Sequence, residues 1–528
     1  MNKSISISTS FRTLILALGL LILMPACDVT DLSPIANISE ATAFENAERA
    51  ELAVVGVYNA AQSGFFAGGQ GRGYPLCAAS IQQGDMRGED MVNQALFYAI
   101  TNEATYTPFS ANNVFMWNTL FGVINQANVV IEGLRGAVTN GFLTAEQGAA
   151  FEGECRFLRA LSYHELAIHF ARPYADNGGN NLCVPIRQTA VNSASTVSDA
   201  ISQGRNTVAE VYAFILSDLD YCEQSLPATR AGIRKVTRAT SGAAIALKAR
   251  VKQHKGDWPG VIAESNKIVS ASAPFTSPIG AFVLNANPEG AFSNNYTNES
   301  VFSIENAVTD NPGVNGALPA MLGNPAVGGR GLVLVGPYIY NEPLWLVSDL
   351  RRTMLSNNGR SYFTEKYKDK VGRSDAAPIL RYAEVLLTLA EAEARQNGLT
   401  EKALSLLNEV RNRAVTEPAD QYQLADFADA NALIAAILME RRIELLAEGR
   451  RWADIHRLAL DPNFSPGGIP AKVAFAGFAF TDYDPVTQPQ PTKGIPFIEY
   501  SNFRFLWPIP ADELAQNPTL STQQNPGY

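Results

Sequence analysis

The chain has 528 residues, 46% of them hydrophobic and only 17% charged, and a formal net charge of −10. That is enough apolar material for a sizeable core, and charged residues fall below the roughly 25% of an ordinary globular protein. No lysine- or arginine-rich stripe is present to displace the counterions of a phosphate backbone, which excludes nucleic acid as a partner.

Residues 1–26 have the form of an export signal: Lys3 and Arg12 precede an uncharged run from Leu14 to Met24. Eleven apolar residues are too few to cross a bilayer, which takes about 20. Cys27 follows "LMPA" directly, a placement that resembles a bacterial lipoprotein box and marks Cys27 as the site of acylation, for example by palmitate. No later stretch reaches about 18 consecutive apolar residues, so no membrane span is expected beyond the signal. Roughly 500 residues remain after cleavage, read as a single body with a helical-repeat core over about 40–63, 112–272 and 376–460. Loop-rich regions occupy 64–110 and 274–375, and a terminal strap covers 461–528.

The core consists of helical pairs. A helix around Glu45–Gln62 pairs with one around Val114–Leu134, and "AAFEGECRFLRALSYHELAIHF" with "NTVAEVYAFILSDLDYCEQSLP". In "RATSGAAIALKARVKQHKGDWPGVIAESNKIVS", an apolar stripe through Ala243, Leu247 and Val251 ends at Gly256. Asp257 then caps a second helix whose first turn holds Trp258 and Pro259. The clearest unit is "PILRYAEVLLTLAEAEARQNGLTEKALSLLNEVRNRA". Ala383, Leu386, Leu387, Ala390 and Ala394 line one helix, and Ala403, Leu406, Leu407, Val410 and Ala414 the next. Gly398 suits the end of the first and Thr400 the cap of the second. Such hairpins cannot bury their faces alone and must stack. The predicted fold is therefore all-α dominated: a tetratricopeptide-like, right-handed solenoid of about four helical hairpins, with long loop-rich insertions and a few short strands such as "ESVFSIEN".

Several motifs invite chemistry and do not support it. His164 and His169 of "HELAIH" stand five apart, about 140° round a helix, where a zinc-peptidase pair needs i, i+4. "GGQGRG" at 68–73 lacks the strand before and the Lys-Ser/Thr after that a phosphate cradle requires, and there is no GxSxG. Cys77, Cys155, Cys183 and Cys222 show no CxxC spacing, which speaks against zinc and leaves their pairing open. No metal, cofactor or catalytic residue is assigned. In "ERRIELLAEGRRWADIHRL" the spacings of Glu444 to Arg441, Glu448 to Arg451 and Arg450 to Asp454 predict ion pairs along helix faces, with a hinge at Gly449.

Taken in order, these blocks resemble the SusD/RagB family of outer-membrane nutrient-binding lipoproteins. The residues that carry the likeness are "ACD" at the end of the signal, "GECRFLRALSYHELAIHFARPY", "TVAEVYAFILSDLDYCEQSLP", "GAAIALKARVKQHKGDW", "RYAEVLLTLAEAEAR", "ERRIELLAEGRRWADIHRL" and "LWPIPADELAQNPTLSTQQNPGY". The resemblance implies a surface lipoprotein that caps a TonB-dependent, SusC-like transporter. Such a protein binds an oligosaccharide or peptide nutrient, glycan being favoured, and breaks no bond. Ligand sites vary within the family, so candidates come from the composition of the loops: Phe65, Phe66, Tyr74, Asp85, Arg87 and Asp90 in one region, Tyr338, Tyr340 and Trp345 in the other. In the tail, Trp507, Ile509 and Leu514 are expected to bury against helices while the prolines hold the segment extended. The alternatives are a glycan-cleaving surface enzyme with a close carboxylate pair and a tetratricopeptide scaffold that holds peptides in its groove.

Overall fold

The computed structural model describes residues 42–64 and 71–528. The export signal, Cys27, Phe65 and Phe66 lie outside the described residues.

Helix α1 (Ala47–Ser63) starts at Asn46, whose side chain accepts the Arg49 amide. Two short helices follow, α2 (Ala78–Met86) and α3 (Leu96–Asn102), then the long α4 (Ala111–Thr139), which packs back on α1. α5 (Ala145–Phe170) opens with a capping box between Thr144 and Gln147. After the short α6 (Ala194–Ala200), α7 (Val208–Ser225) opens with a second box between Thr207 and Glu210 and packs along α5. α8 (Ser241–Lys255) ends at Gly256, at φ 72°, and Asp257 caps α9 (Trp258–Ser265) by accepting the Gly260 amide. α10 (Tyr382–Asn397) ends at Gly398, at φ 83°, and Thr400 caps α11 (Glu401–Arg411). α12 (Ala430–Glu444) lies on α10, α13 (Arg451–Arg457) against α2, and α14 (Ala511–Gln516) near the end of the chain.

Each helix packs on the next in the order α1, α4, α5, α7, α8, α9, α10, α11. Four hairpins thus stack into one helical solenoid, as the sequence predicts. None of the ten residues in the two stripes of α10 and α11 is more than 1% exposed. α4 is long and apolar enough to cross a membrane, a feature that consecutive apolar runs do not reveal. Most of its apolar stretch is buried, as befits a core helix between α1 and α5.

The insertions form small sheets. β1 (Met91–Asn93), β3 (Val333–Val335), β5 (Tyr362–Thr364) and β4 (Leu355–Asn357) make one antiparallel sheet in the order β1-β3-β5-β4, while β2 (Ser300–Ile304) pairs with β6 (Ala377–Arg381). Alternation gives the four-stranded sheet two different faces. Met91, Val333 and Val335 join the main core, whereas Val92, Leu334 and Phe363 meet Val473, Phe478 and Tyr483 of the terminal segment. Two further strands, β7 (Gly468–Ile469) and β8 (Ile498–Glu499), clip that segment to itself.

The charged block at 440–458 departs from the local pairing that its spacing predicts. Glu444 bonds Arg381, Arg413 and Arg351; Glu448 bonds Arg381 and Lys366; Arg450 faces Glu165. The local pair that does form is Asp454 with Arg457, at 2.7 Å; the three predicted pairs do not, because these side chains meet partners from other elements. The result is one buried network of five cations (Arg351, Lys366, Arg381, Arg411, Arg413) and five anions (Glu299, Asp349, Glu440, Glu444, Glu448). No side chain in it is more than 7% exposed. The charges balance, which is how so many can be buried at once. Gly449 forms the elbow between α12 and α13 at φ 75°, and its backbone lies so close to α2 that a Cβ on Gly84 would meet the Gly449 carbonyl at 2.3 Å.

The four cysteines Cys77, Cys155, Cys183 and Cys222 are buried free thiols.

Candidate functional site

The network fixes the insertion that carries the site. Arg351 and Lys366, just outside β4 and β5, reach Glu440, Glu444 and Glu448 on and after α12, so the strands between them are bolted to the solenoid by buried ion pairs.

At the start of β5, aromatic rings from two distant segments meet. Tyr340 and Tyr362 stack at 4.4 Å with planes 24° apart, and Phe480 lies nearly parallel to Tyr362 at 5.6 Å and 22°. Tyr483 sets its edge against Tyr340 at 5.3 Å, and its hydroxyl donates to the Val335 carbonyl. Arg352 covers the Tyr340 ring at 4.7 Å, Arg360 covers Phe475 at 4.4 Å, and Lys493 covers Tyr338 at 4.4 Å. The Tyr338 hydroxyl donates to the Pro491 carbonyl, and the Asn341 amide to that of Asp482, pinning the 473–493 segment over the sheet. Tyr338, Tyr340, Tyr362, Phe475 and Phe480 are half-buried, so each presents part of a ring to solvent. The two acids in this part of the segment are committed locally: Asp482 accepts the Ala479 amide, and Asp484 the Val486 amide and the Thr487 hydroxyl. The arrangement is a rigid ridge of aromatic rings with cations on its rim, suited to stacking on a flat ligand face.

The structure brings Tyr338 and Tyr340 together here and puts Trp345 underneath, 2% exposed, with the Arg352 guanidinium 4.6 Å above its ring. Composition alone did not single out Tyr362, Arg360, Phe475, Phe480, Tyr483 or Lys493. The run "FAGFAFTDY" at 475–483 does carry a signal, four aromatics in nine residues of an otherwise loop-like stretch.

The first loop region is arranged differently. Tyr74, Asp85, Arg87 and Asp90 are each no more than 2% exposed. The Tyr74 ring packs near Phe115, and burial raises its hydroxyl well above the usual phenol value. Asp85 accepts the Gly449 amide at 3.0 Å, and burial raises its carboxyl well above the usual range. Arg87 lies 3.4 Å over the Trp452 ring, donates to the Phe505 carbonyl at 2.6 Å and meets His169 Nδ1 at 3.0 Å. Asp90 takes both oxygens to Arg442, beside the Glu89–Arg451 pair. Asp85, Arg87 and Asp90 join this insertion to α12, α13, the Gly449 elbow and the terminal strap, while Tyr74 packs toward α4. Lys472 adds another tie: its ammonium caps the ends of both α2 and α3, donating to Met86 and Asn102 carbonyls, and burial lowers it to about 7. The most exposed apolar side chains nearby are Leu96, at 93%, and Phe109, at 80%.

The strap runs into this junction. Trp507 and Ile509 are fully buried, the Trp507 amide donates to the His169 carbonyl, and the indole stacks on His169 at 4.4 Å. Leu514 is half-buried against the core. His164 turns the other way and meets His254 at 4.7 Å, so the two rings of "HELAIH" do not converge. Among the described residues no group of three or more His, Cys, Asp or Glu is placed to hold a metal ion.

Comparison with known proteins agrees with this architecture. Residues 351–528 match the family profile described as "SusD family", and residues 68–252 match one described as "Starch-binding associating with outer membrane". The chain is 24% identical to SusD-like protein P2 of Formosa agariphila, over 96% of this chain and 98% of that one. A SusD superfamily protein from Bacteroides fragilis superposes with a TM-score of 0.74 at 24% identity, covering 90% of this chain and 99% of its own. Surface glycan-binding protein A from Bacteroides uniformis superposes at 0.66 with 19% identity, covering 90% and 99%.

Proposed function

We propose that this chain, which belongs to the SusD/RagB family, is a lipid-anchored receptor on the outer-membrane surface. It binds a glycan oligosaccharide and passes it, uncleaved, to a TonB-dependent, SusC-like transporter. Family membership supports carbohydrate binding at the outer membrane. The observation that carries the reading for this chain is the ridge: half-exposed rings held nearly parallel on a sheet that buried ion pairs tie to the solenoid. A pyranose ring offers a flat C–H face that stacks on such rings, while the Arg360 and Lys493 cations and nearby backbone groups orient hydroxyls. The half-exposed ring of Phe480 at the end of the row, together with Tyr338 and Tyr340, is assigned to ligand contact. Acid–base cleavage would need two unspent carboxylates facing one bond, and the nearby Asp482 and Asp484 cap turns instead.

The test is a glycan array on the chain from residue 28 onward, followed by titration of any hit with Phe480→Ala and Tyr338→Ala. Binding should fall at least tenfold in each variant with little change in melting temperature, and no new reducing ends should appear. Hydrolysis of a bound glycan, or full affinity in both variants, would contradict the assignment. Cys27→Ala should release the protein from membranes; retention in the absence of other proteins would remove the anchor.

A further inference from the structure

A concave site shares no residue with the ridge and lies where α4, α6 and α14 converge. Its volume is 440 Å³, within the 300–1,000 Å³ typical of small-ligand pockets. We infer that this cavity binds a short peptide through aliphatic side chains.

The walls come from three parts of the chain: Phe121 and Ile124 of α4, Val191 with Val197 and Ile201 at α6, and Asp512 and Gln516 of α14. They are held apart by bonds of their own. Arg187 pairs with Glu513 at 2.5 Å, and the Trp117 indole donates to the same carboxylate at 3.3 Å. Asn125 exchanges two hydrogen bonds with the Val191 backbone, at 2.7 and 3.2 Å. Asn517 donates to the Gln203 carbonyl at 2.8 Å. The cavity is therefore preformed.

Val197 and Ile201, one helical turn apart, stay 45% and 39% exposed on its wall. A ligand that covered them would gain their burial. At the mouth, the side chains of Asn118, Asp512 and Gln516 make no hydrogen bond or ion pair among the described residues, although all three line the space.

The chemistry selects among ligands. A sugar needs an exposed aromatic face, and Phe121, the one aromatic of the lining, is only 7% exposed, between Trp117 and the Arg187 guanidinium, unlike the half-exposed rings of the ridge. An anion would meet Asp512 and Glu513, while the charge of Arg187 is already spent on Glu513. A peptide meets neither objection: its N–H and C=O groups match the two free carboxamides and the carboxylate, and aliphatic side chains match the Val–Ile wall. Three walls leave room for a few residues rather than for the surface of a folded protein.

The experiment uses the chain from residue 28 onward, which keeps every described residue, with acetyl-Leu-Val-Leu-amide as probe and acetyl-Ser-Gly-Ser-amide and maltotriose as comparators. Calorimetry and saturation-transfer NMR report affinity and the groups in contact. The aliphatic peptide should bind, with its methyl groups saturated most strongly. Val197→Asp and Ile201→Asp, at exposed positions, should each weaken it at least tenfold without moving the melting temperature. No binding at millimolar peptide, or binding unaffected by both substitutions, would overturn the inference. So would maltotriose binding that both substitutions abolish. Phe480→Ala should leave peptide binding intact, so failure here is separable from failure of the glycan reading.

Discussion

Arg381→Leu probes the buried network most directly. The Arg381 guanidinium, 2% exposed, bonds Glu448 with two nitrogens at 2.7 and 2.8 Å, Glu299 at 2.6 Å and Glu444 at 2.9 Å. Removing it leaves five anions facing four cations in the interior. Breaking a buried pair in this way costs about 3–5 kcal/mol, mainly because the remaining charge is stranded. The measurement is a urea midpoint at pH 7 for wild type, Arg381→Leu and Arg381→Leu/Glu448→Gln. The double variant restores the balance and should recover a large part of the loss. Acid should narrow the gap as well. Burial pushes the Glu444 carboxyl up, but Arg413, Arg381 and Arg351 together hold it far below the usual range. With Arg381 gone, a neighbouring carboxyl takes up a proton more readily, so the deficit at pH 5 should be smaller than at pH 7. A loss under about 1 kcal/mol, the worth of an exposed pair, would refute the argument.

Two further outcomes are expected. Trp507→Ala removes a fully buried indole from between His169 and Phe170 and should cost about 3–5 kcal/mol, lowering the melting temperature by several degrees; an unchanged melting curve would show that the strap is dispensable. All four histidines are buried, and burial, aided by nearby arginines, holds His164, His169 and His254 well below the ordinary imidazole value and His456 at about 3. The unfolded chain then binds more protons below about pH 6.5, so stability present above that pH is lost as pH falls, by up to about 1.4 kcal/mol per pH unit for each histidine. Carboxylates held low in the fold begin to contribute only nearer pH 4.5; Asp85, held high by burial, takes up its proton in the fold and offsets part of the loss, so the four histidines together set a net fall between pH 6.5 and 5. A urea midpoint that stays flat from pH 7.5 to 5 would contradict their burial in neutral form.

The solenoid was legible because its signals are local. The stripes of α10 and α11, Gly398 and Thr400 fall within 32 consecutive positions, and each works through its own neighbours. The site was not, because its contacts are distant. Tyr362 and Phe480 are adjacent rings 118 positions apart. Polar and aromatic residues in a glycine-rich stretch read as exposed, yet Asp85 and Arg87 are buried under α13, the Gly449 elbow and the strap, and Tyr74 beside Phe115 of α4. The acidic and basic residues of 440–458 were misleading for the same reason. Spacings of three or four favour local pairs on a solvated helix, but a buried carboxylate takes the partners with the best geometry, and for Glu444 one of these, Arg381, comes from 63 positions away.

The strap has a consequence for how the molecule is made. Arg87, Tyr106 and His169 shape a slot that Phe505 and Trp507 fill, the Arg87–Phe505 bond joining residues 418 positions apart. Residues 87–169 precede 505–507 by more than three hundred positions, so this slot, with its arginine and its ring faces, stays open until that later stretch joins it. The final segment then acts as a keystone. Whatever folds before that stretch arrives leaves the arginine and the ring faces bare, and docking of Phe505 and Trp507 covers them.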